Sequence, residues 1–264
     1  MHRNVVVTEN FYENPDLIVR YARTLKYCAP YNSPDDILNK RPLVWRTSWF
    51  QQADACRFKS SSSLIAKLEV LTGERIDLDH WCRGFPLGND GLPKPGYDAR
   101  PRTAWWNACF HVKHHAEAPG EGVHNHTELD PWNSVGAMGW VGVVFLTKDA
   151  PFDAGISIWR NRHGDRNARL TPKEDWELLD LIGNVYNRLV LHRGYIPHSC
   201  SAGWGRTVND GFIFQSFFFS TLTSDETQSI SQQDLPLPYE FYTRDAGRKG
   251  DGAPDRAVPD GSRD

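Results

Sequence analysis

Apolar positions along this chain follow two regimes. Up to about residue 78 they recur mainly at helical spacing; beyond it they fall into short β-branched and aromatic runs. The opening "RNVVVTENF" predicts a strand. "ENPDLIVRYARTLKY" then predicts a helix with Asn14 as N-cap, Pro15 in the first turn and Asp16 behind it, a start that supplies an acceptor and a preset φ where the backbone needs them. Leu17, Ile18, Tyr21, Ala22 and Leu25 lie on one side of it. "SSSLIAKLEVLTG" predicts a second helix, capped by a serine and closed by Gly73. "YNSPDDILNKRPLVWRTSWF" reads as loop until the β-rich "LVWRTSWF".

Strand patterns then follow in "TAWWNACFHVKHH" (103–115), "MGWVGVVFLTK" (138–148), "AGISIWRNR" (154–162), "NRLVLHRG" (187–194) and "GFIFQSFFFSTL" (211–222), separated by Gly, Pro, Asn and Asp. One interruption, "LTPKEDWELLDLIGNV", carries Thr171 and Glu174 in capping-box spacing around Pro172 and predicts a short inserted helix. Helices first and antiparallel-type strands afterwards predict a mainly β fold with flanking helices (α+β), a sandwich or jelly roll buttressed on one sheet. The expected organisation is one domain over 1–245, helix-rich over 1–78 and β over 79–245. The Gly/Pro/charge-rich tail 246–264 is expected to be disordered.

Composition narrows the function classes. Ten Trp and thirteen Phe suit a β interior filled or lined by rings; "FIFQSFFF" in particular must be buried, or it would be an aggregation hazard. A net charge of −3 gives no electrostatic case for nucleic acid or an anionic membrane. No window approaches a membrane span, and the N-terminus lacks the apolar segment of a secretion signal, so the expected setting is the cytoplasm. The five cysteines (Cys28, Cys56, Cys82, Cys109, Cys200) form no CxxC pair and are expected to be free, mostly buried thiols.

The candidate chemistry lies in "GVHNHTELDP" (122–131). His126-Thr127-Glu128 puts two ligands on one side of an extended chain, because alternate residues share a face. A distant histidine would complete a two-histidine, one-carboxylate set that leaves positions open on a non-haem iron. His198, after the strand-like "NRLVLHRGYIPHS", is that histidine; His192, inside the run, reads as buried.

With these residues in place, the chain resembles the Fe(II)/2-oxoglutarate-dependent oxygenases from about Asn107 to Phe219. "VHNHTELD" looks like the metal motif, "WVGVVFLTKDAPFDAGISIWRNR" like the strand, acidic turn and Gly-start strand, "NRLVLHRGYIPHS" like the strand delivering the distal histidine, and "GWGRTVNDGFIFQSFFFS" like the closing strand. The opening "VVVTENFYENPDLIVRYARTLKY" is similar to the start of a bacterial subgroup. The resemblance implies a double-stranded β-helix holding Fe(II) on His126, Glu128 and His198, with 2-oxoglutarate and O2 as cosubstrates. It implies oxidation of a C–H bond in a small molecule, an amino acid or natural-product intermediate; Glu128 argues against halogenation, which needs a small residue there.

Two departures keep alternatives open. Aligning His124 as first ligand would put His126 in the carboxylate's place, giving a three-histidine site or recruiting Asp130; otherwise His124 sits beside the metal or the substrate. Relatives carry an arginine on the closing strand for the distal carboxylate of 2-oxoglutarate, and Phe212 occupies that position here. Arg206, Arg160 and the hydroxyl of Ser216 are the substitutes the sequence offers, and Trp140 and Trp159 are candidates to line the substrate cavity. His2, His80 and His163 read as ordinary histidines, and the cluster His111, His114, His115 has no supporting motif. Two other functions compete: a cupin-type metalloenzyme with His124, His126 and His198 and no 2-oxoglutarate, and a non-catalytic jelly-roll binding module.

Overall fold

A computed structural model describes residues 4–27, 45–48, 57–82, 106–114, 122–127, 134–164, 173–201 and 203–222. Glu128, Asp130, His2, His115, Thr171, Cys28, Cys56 and the tail from 246 lie outside the described residues. Among the described residues Cys82, Cys109 and Cys200 form no disulfide, and Cys109 is buried.

The two expected helices form where their caps place them. α1 spans Pro15–Thr24, with the Asn14 side chain accepting from the Leu17 amide. α2 spans Ser62–Thr72; Ser61 caps it, and Gly73 closes it at φ 74°, a left-handed conformation that costs glycine little. The buried side of α1 is not quite the expected one. Val19 and Ala22 are buried, whereas Leu17 is half exposed. A third short helix, α3, spans Leu78–Cys82, where strands were expected to begin.

Among the described residues nine strands form: β1 Val5–Thr8, β2 Trp45–Thr47, β3 Phe110–Lys113, β4 Trp140–Phe145, β5 Ile156–Asn161, β6 Trp176–Ile182, β7 Leu189–Arg193, β8 His198–Cys200 and β9 Phe212–Phe219. The helix expected over "LTPKEDWELLDLIGNV" is instead a single 3-10 turn, Lys173–Asp175, running into β6. Pairing with β5 in register from Ile156–Ile182 to Asn161–Trp176 outweighs the local helix grammar, since strand hydrogen bonds and the burial of Trp176 and Ile182 come only with the sheet.

All strand pairs are antiparallel. They form a six-stranded sheet in the order β1-β7-β4-β9-β3-β2 and a three-stranded sheet in the order β6-β5-β8. Together they make a double-stranded β-helix, or jelly roll, as the order of helices and strand-like runs and the family resemblance led one to expect.

The large sheet has two distinct faces. On the outer face Arg193, Trp140 and Phe219 share one row of the register, and Leu191, Gly142 and Phe217 the next. The helical portion covers that face: Trp81 of α3 stacks on Phe217, and Glu74, just after α2, pairs with Arg193. On the inner face the rows read His192–Val141–Phe218, Val190–Val143–Ser216, Phe145–Phe214–His111–Thr47 and Phe212–Lys113. These inner rows face the small sheet and hold the candidate site.

Candidate metal centre

Three separate stretches converge on the inner side. β8 starts at His198, whose backbone pairs with His124 through two hydrogen bonds, His124 N to His198 O (2.9 Å) and His198 N to His124 O (2.8 Å). The segment 122–127 thus lies beside β8 as an added edge of the small sheet. Alternation carries His126 to the same side as His124. His126 is held by its own amide, which donates to Gly194 O at 2.8 Å, and by its carbonyl, which accepts from Val135 N at 3.0 Å. Gly194 is required for this approach: a Cβ there would come within 2.3 Å of Gly136 O and 3.2 Å of His126 O.

His124, His126 and His198 each offer a ring nitrogen, and these nitrogens all lie within 4.8 Å of one another. Donors about 2.1 Å from one ion and at right angles to each other are roughly 3 Å apart, so a modest closure of the three rings would seat a metal. The ring centroids are 4.4–5.1 Å apart. Phe218 packs edge-on against His126 at 5.0 Å.

The tautomers suit ligation. His198 Nδ1 lies 3.0 Å from Ile196 O, and His124 Nδ1 lies 3.0 Å from Gly122 O. A carbonyl only accepts, so each Nδ1 carries the proton and each Nε2 is the unprotonated nitrogen; partners of this kind fix ligand orientation at metal sites. His198 is held well below the usual histidine range, first by burial and then by His192, His124 and His126 around it. It is therefore neutral and ready to donate at neutral pH.

A fourth ring stands beside them. His192 on β7 is fully buried, with its centroid 4.2 Å from that of His198. Its Nδ1 donates to Arg193 O at 3.0 Å, and its Nε2 has no partner among the described residues. Burial pushes it down to about 3, against the opposing effect of the Arg193 carbonyl. The sequence reading of His192 as buried agrees with the structure but missed its neighbours. Only the register, which sets His192 level with Val141 and hence with Phe218, reveals them.

The remaining candidates divide. Ser216 is on the inner face, donating to Trp106 O at 2.7 Å and bonded to His111 Nε2 at 2.7 Å. Trp140 is on the outer face, its indole donating to Glu74 at 3.1 Å. Trp159 donates to Ser199 at 2.8 Å; Ser199 neighbours His198 on β8 and so points to the other face of the small sheet. Neither tryptophan is brought to the histidines. Arg160 pairs with Glu177 at 2.6 Å, and Arg206 is exposed in a turn organised by Asp210. Among the described residues no carboxylate joins the metal-ligating group.

What this arrangement can do follows from its donors. Three imidazoles on one side of an ion suit iron, zinc, copper or nickel and leave the opposite positions for exogenous ligands. Val141, Val143 and Ile158 line the same interior and are almost wholly buried, which keeps water from the site.

No protein-family model matches the chain, and no curated protein matches it. Solved structures of similar form include the non-haem alpha-ketoglutarate-dependent epimerase SnoN from nogalamycin biosynthesis, at 12% identity and a TM-score of 0.45, covering 81% of this chain and 76% of that one. HygX from Streptomyces hygroscopicus, with nickel and 2-oxoglutarate bound, is 9% identical with a TM-score of 0.45 and 84% coverage of both chains. A prolyl-4-hydroxylase from Pseudomonas putida is 12% identical with a TM-score of 0.38, covering 83% and 93%. Similarity at this level leaves the chemistry to be argued from the chain's own residues.

Proposed function

We propose that the protein is a non-haem Fe(II) oxygenase that uses 2-oxoglutarate and O2 to oxidise a C–H bond of a small molecule, an amino acid or a natural-product intermediate. The observation that carries this reading is the convergence of His124, His126 and His198 inside a jelly roll, with Nδ1 of His124 and of His198 turned to backbone carbonyls. The motif order that resembles the oxygenases supports the choice of cosubstrate. Bound there, iron(II) with 2-oxoglutarate and O2 supplies an oxidant strong enough for an unactivated C–H bond. The chain's share is to present three nitrogens on one side, hold their tautomers through backbone carbonyls, and line the interior with apolar side chains.

A second reading has a specific observation behind it. The eight residues of β9, "FIFQSFFF", contain no cation, and Phe212 stands where the oxygenases carry their arginine. A three-histidine metalloenzyme without 2-oxoglutarate fits that strand.

Anaerobic titration of the metal-free protein with Fe(II), then with 2-oxoglutarate, separates the two. A weak visible charge-transfer band on adding 2-oxoglutarate supports the oxygenase; tight iron binding with no band supports the second reading. The ligand set is tested in parallel. His124→Ala is expected to abolish iron binding while Glu128→Ala keeps it; the reverse result would restore the two-histidine, one-carboxylate set.

A further inference from the structure

A cleft of about 540 Å³ lies between α1 and the turns that follow β4 and precede β9. Val141, level with His192, and Thr147, in the cleft wall, are six residues and about 20 Å apart along extended chain. The cleft is therefore a separate place from the metal centre, and its volume suits a small organic molecule.

Its floor and its rim differ in chemistry. Val19, Leu146 and Ile213 are buried and supply an apolar floor. Around them stand Arg20, Arg23 and Lys148, with Asp16 as the one carboxylate among the described lining residues. Asp16 is already spent: Tyr186 donates its hydroxyl to Oδ1, and Lys148 Nζ reaches Oδ2 at 2.9 Å while lying 5.2 Å over the Tyr186 ring. Hydrogen bonds from Lys148 first and Tyr186 second hold the Asp16 carboxyl below its usual range.

The two arginines are not neutralised in this way. They are three residues apart on α1, so one face of the helix carries both. Arg23 donates to Asn209 O at 3.3 Å, a neutral carbonyl. Arg20 has no hydrogen-bond or ion-pair partner among the described residues. Asp210, in the neighbouring turn, gives its Oδ1 to the Arg206 and Thr207 amides and the Thr207 hydroxyl, and it does not line the cleft.

Three cations against one carboxylate leave two positive charges in excess. Two guanidinium forks over an apolar floor match a doubly charged group with several oxygens, carried on an apolar body. A carboxylate answers one of the charges. A phosphate monoester, close to a charge of about −2 at neutral pH, answers both.

We infer that this cleft binds a phosphate monoester of a small apolar molecule, with Arg20 and Arg23 holding the phosphate and Val19, Leu146 and Ile213 lying under the organic part. The site stands apart from the histidines, so it goes beyond the oxygenase reading and either can fail without the other.

The test uses full-length protein without added metal and two probes that share a ring, phenyl phosphate and benzoate, with inorganic phosphate as a third. Calorimetric titration in about 0.15 M salt, where loose surface attraction is screened, reads the affinities. Phenyl phosphate is expected to bind one site per chain, roughly 10-fold tighter than benzoate and tighter than inorganic phosphate. Arg20→Gln and Arg23→Gln are each expected to weaken it roughly 10-fold, the low end for a charge-assisted hydrogen bond, because both side chains are exposed. The double variant is expected to lose it, whereas Arg206→Gln, outside the cleft, leaves it unchanged. Asp16→Asn, which releases Lys148 and Tyr186 to the ligand, is expected to tighten binding several-fold.

Wild type that binds no phenyl phosphate, or a folded double variant that binds it as wild type does, overturns the inference. Weaker binding by Asp16→Asn also overturns it, and that variant decides should the double variant fail to fold. Benzoate binding as tightly as phenyl phosphate overturns the assignment of a phosphate. Inorganic phosphate binding as tightly overturns the assignment of an ester.

Discussion

The two faces of the large sheet treat their polar groups in opposite ways. On the outer face Glu74 is enclosed by donors: both guanidinium nitrogens of Arg193, the Trp140 indole and the Thr221 hydroxyl. Arg193 also donates to Met138 O at 2.5 Å and lies 4.0 Å over the Trp140 ring. Burial would raise the Glu74 carboxyl, but Arg193, Thr221 and Trp140 together hold it below the usual carboxylate range. On the inner face His124, His192 and His198 each spend Nδ1 on a backbone carbonyl, and His192 Nε2 has no partner among the described residues. The outer cluster is finished by folding. The inner one brings ring nitrogens of His124, His126 and His198 within reach of a single ion, so the two faces of one sheet set a finished ion-pair cluster against a group able to hold a metal.

The largest effect expected from breaking this contrast is on the outer face. Glu74→Leu strands Arg193, 1% exposed, without its counter-charge, and removing one partner of a buried pair costs about 3–5 kcal/mol. Denaturant unfolding checks the loss; iron affinity of the folded fraction should stay within a few-fold of wild type. If iron binding falls in step with stability, the two faces are not independent.

The inner-face counterpart is His198→Ala. Its expected effect is loss of metal binding by at least about 100-fold, with metal-free stability changed far less than in Glu74→Leu. Thermal unfolding with and without Mn(II) reads both quantities. A variant that unfolds as severely as Glu74→Leu would make His198 a structural residue like Arg193.

Legibility from sequence divides along similar lines. Asn14, Ser61 and Gly73 act through neighbours a few residues away, so the caps of α1 and α2 were readable. The β-branched and aromatic runs marked the strands, and the order of helices and strands pointed to the jelly roll. The β6 segment was misread because its helix grammar, Pro172 to Glu174, is local, whereas its pairing with β5 is not. The site was partly readable for the same reason. His124 and His126 are two residues apart and share a face by period alone, and His198 was found by motif order. His192 comes beside the cluster only through register, with Val141, and register is invisible in one sequence. Trp140 and Trp159 failed as cavity residues because a strand's residues are near a site only on one parity.

Acid sensitivity is the next effect in size. His111 and His192 are both buried and pushed down to about 3, in each case mainly by burial. Above pH 6.5 both rings are neutral in the folded and unfolded chain. As pH falls from 6.5 toward 3, the unfolded chain takes up protons that the folded one refuses, so stability falls throughout that window. Each ring contributes up to about 1.4 kcal/mol per pH unit, or about 2 kcal/mol by pH 5. Urea unfolding of the metal-free protein at pH 7.5, 6 and 5 should show the decline, and His111→Gln should remove one ring's share of the slope. An unchanged slope in that variant would mean that the folded protein accepts a proton at His111.

The smallest expected effect is also the sharpest probe of the contrast. His192→Phe keeps an aromatic ring of similar size on β7 and removes two things: the hydrogen bond from Nδ1 to Arg193 O, and a buried Nε2 without a partner among the described residues. A net hydrogen bond contributes about 1 kcal/mol, while a buried acceptor left unmade costs about 1–3 kcal/mol. The second term wins, so the metal-free variant should match wild type or exceed it by up to about 1 kcal/mol in urea unfolding. A loss of 2 kcal/mol or more would show that Nε2 is already satisfied in the metal-free protein. The inner face would then be as complete as the outer one at His192, and the contrast between the faces would rest on the convergence of His124, His126 and His198 alone.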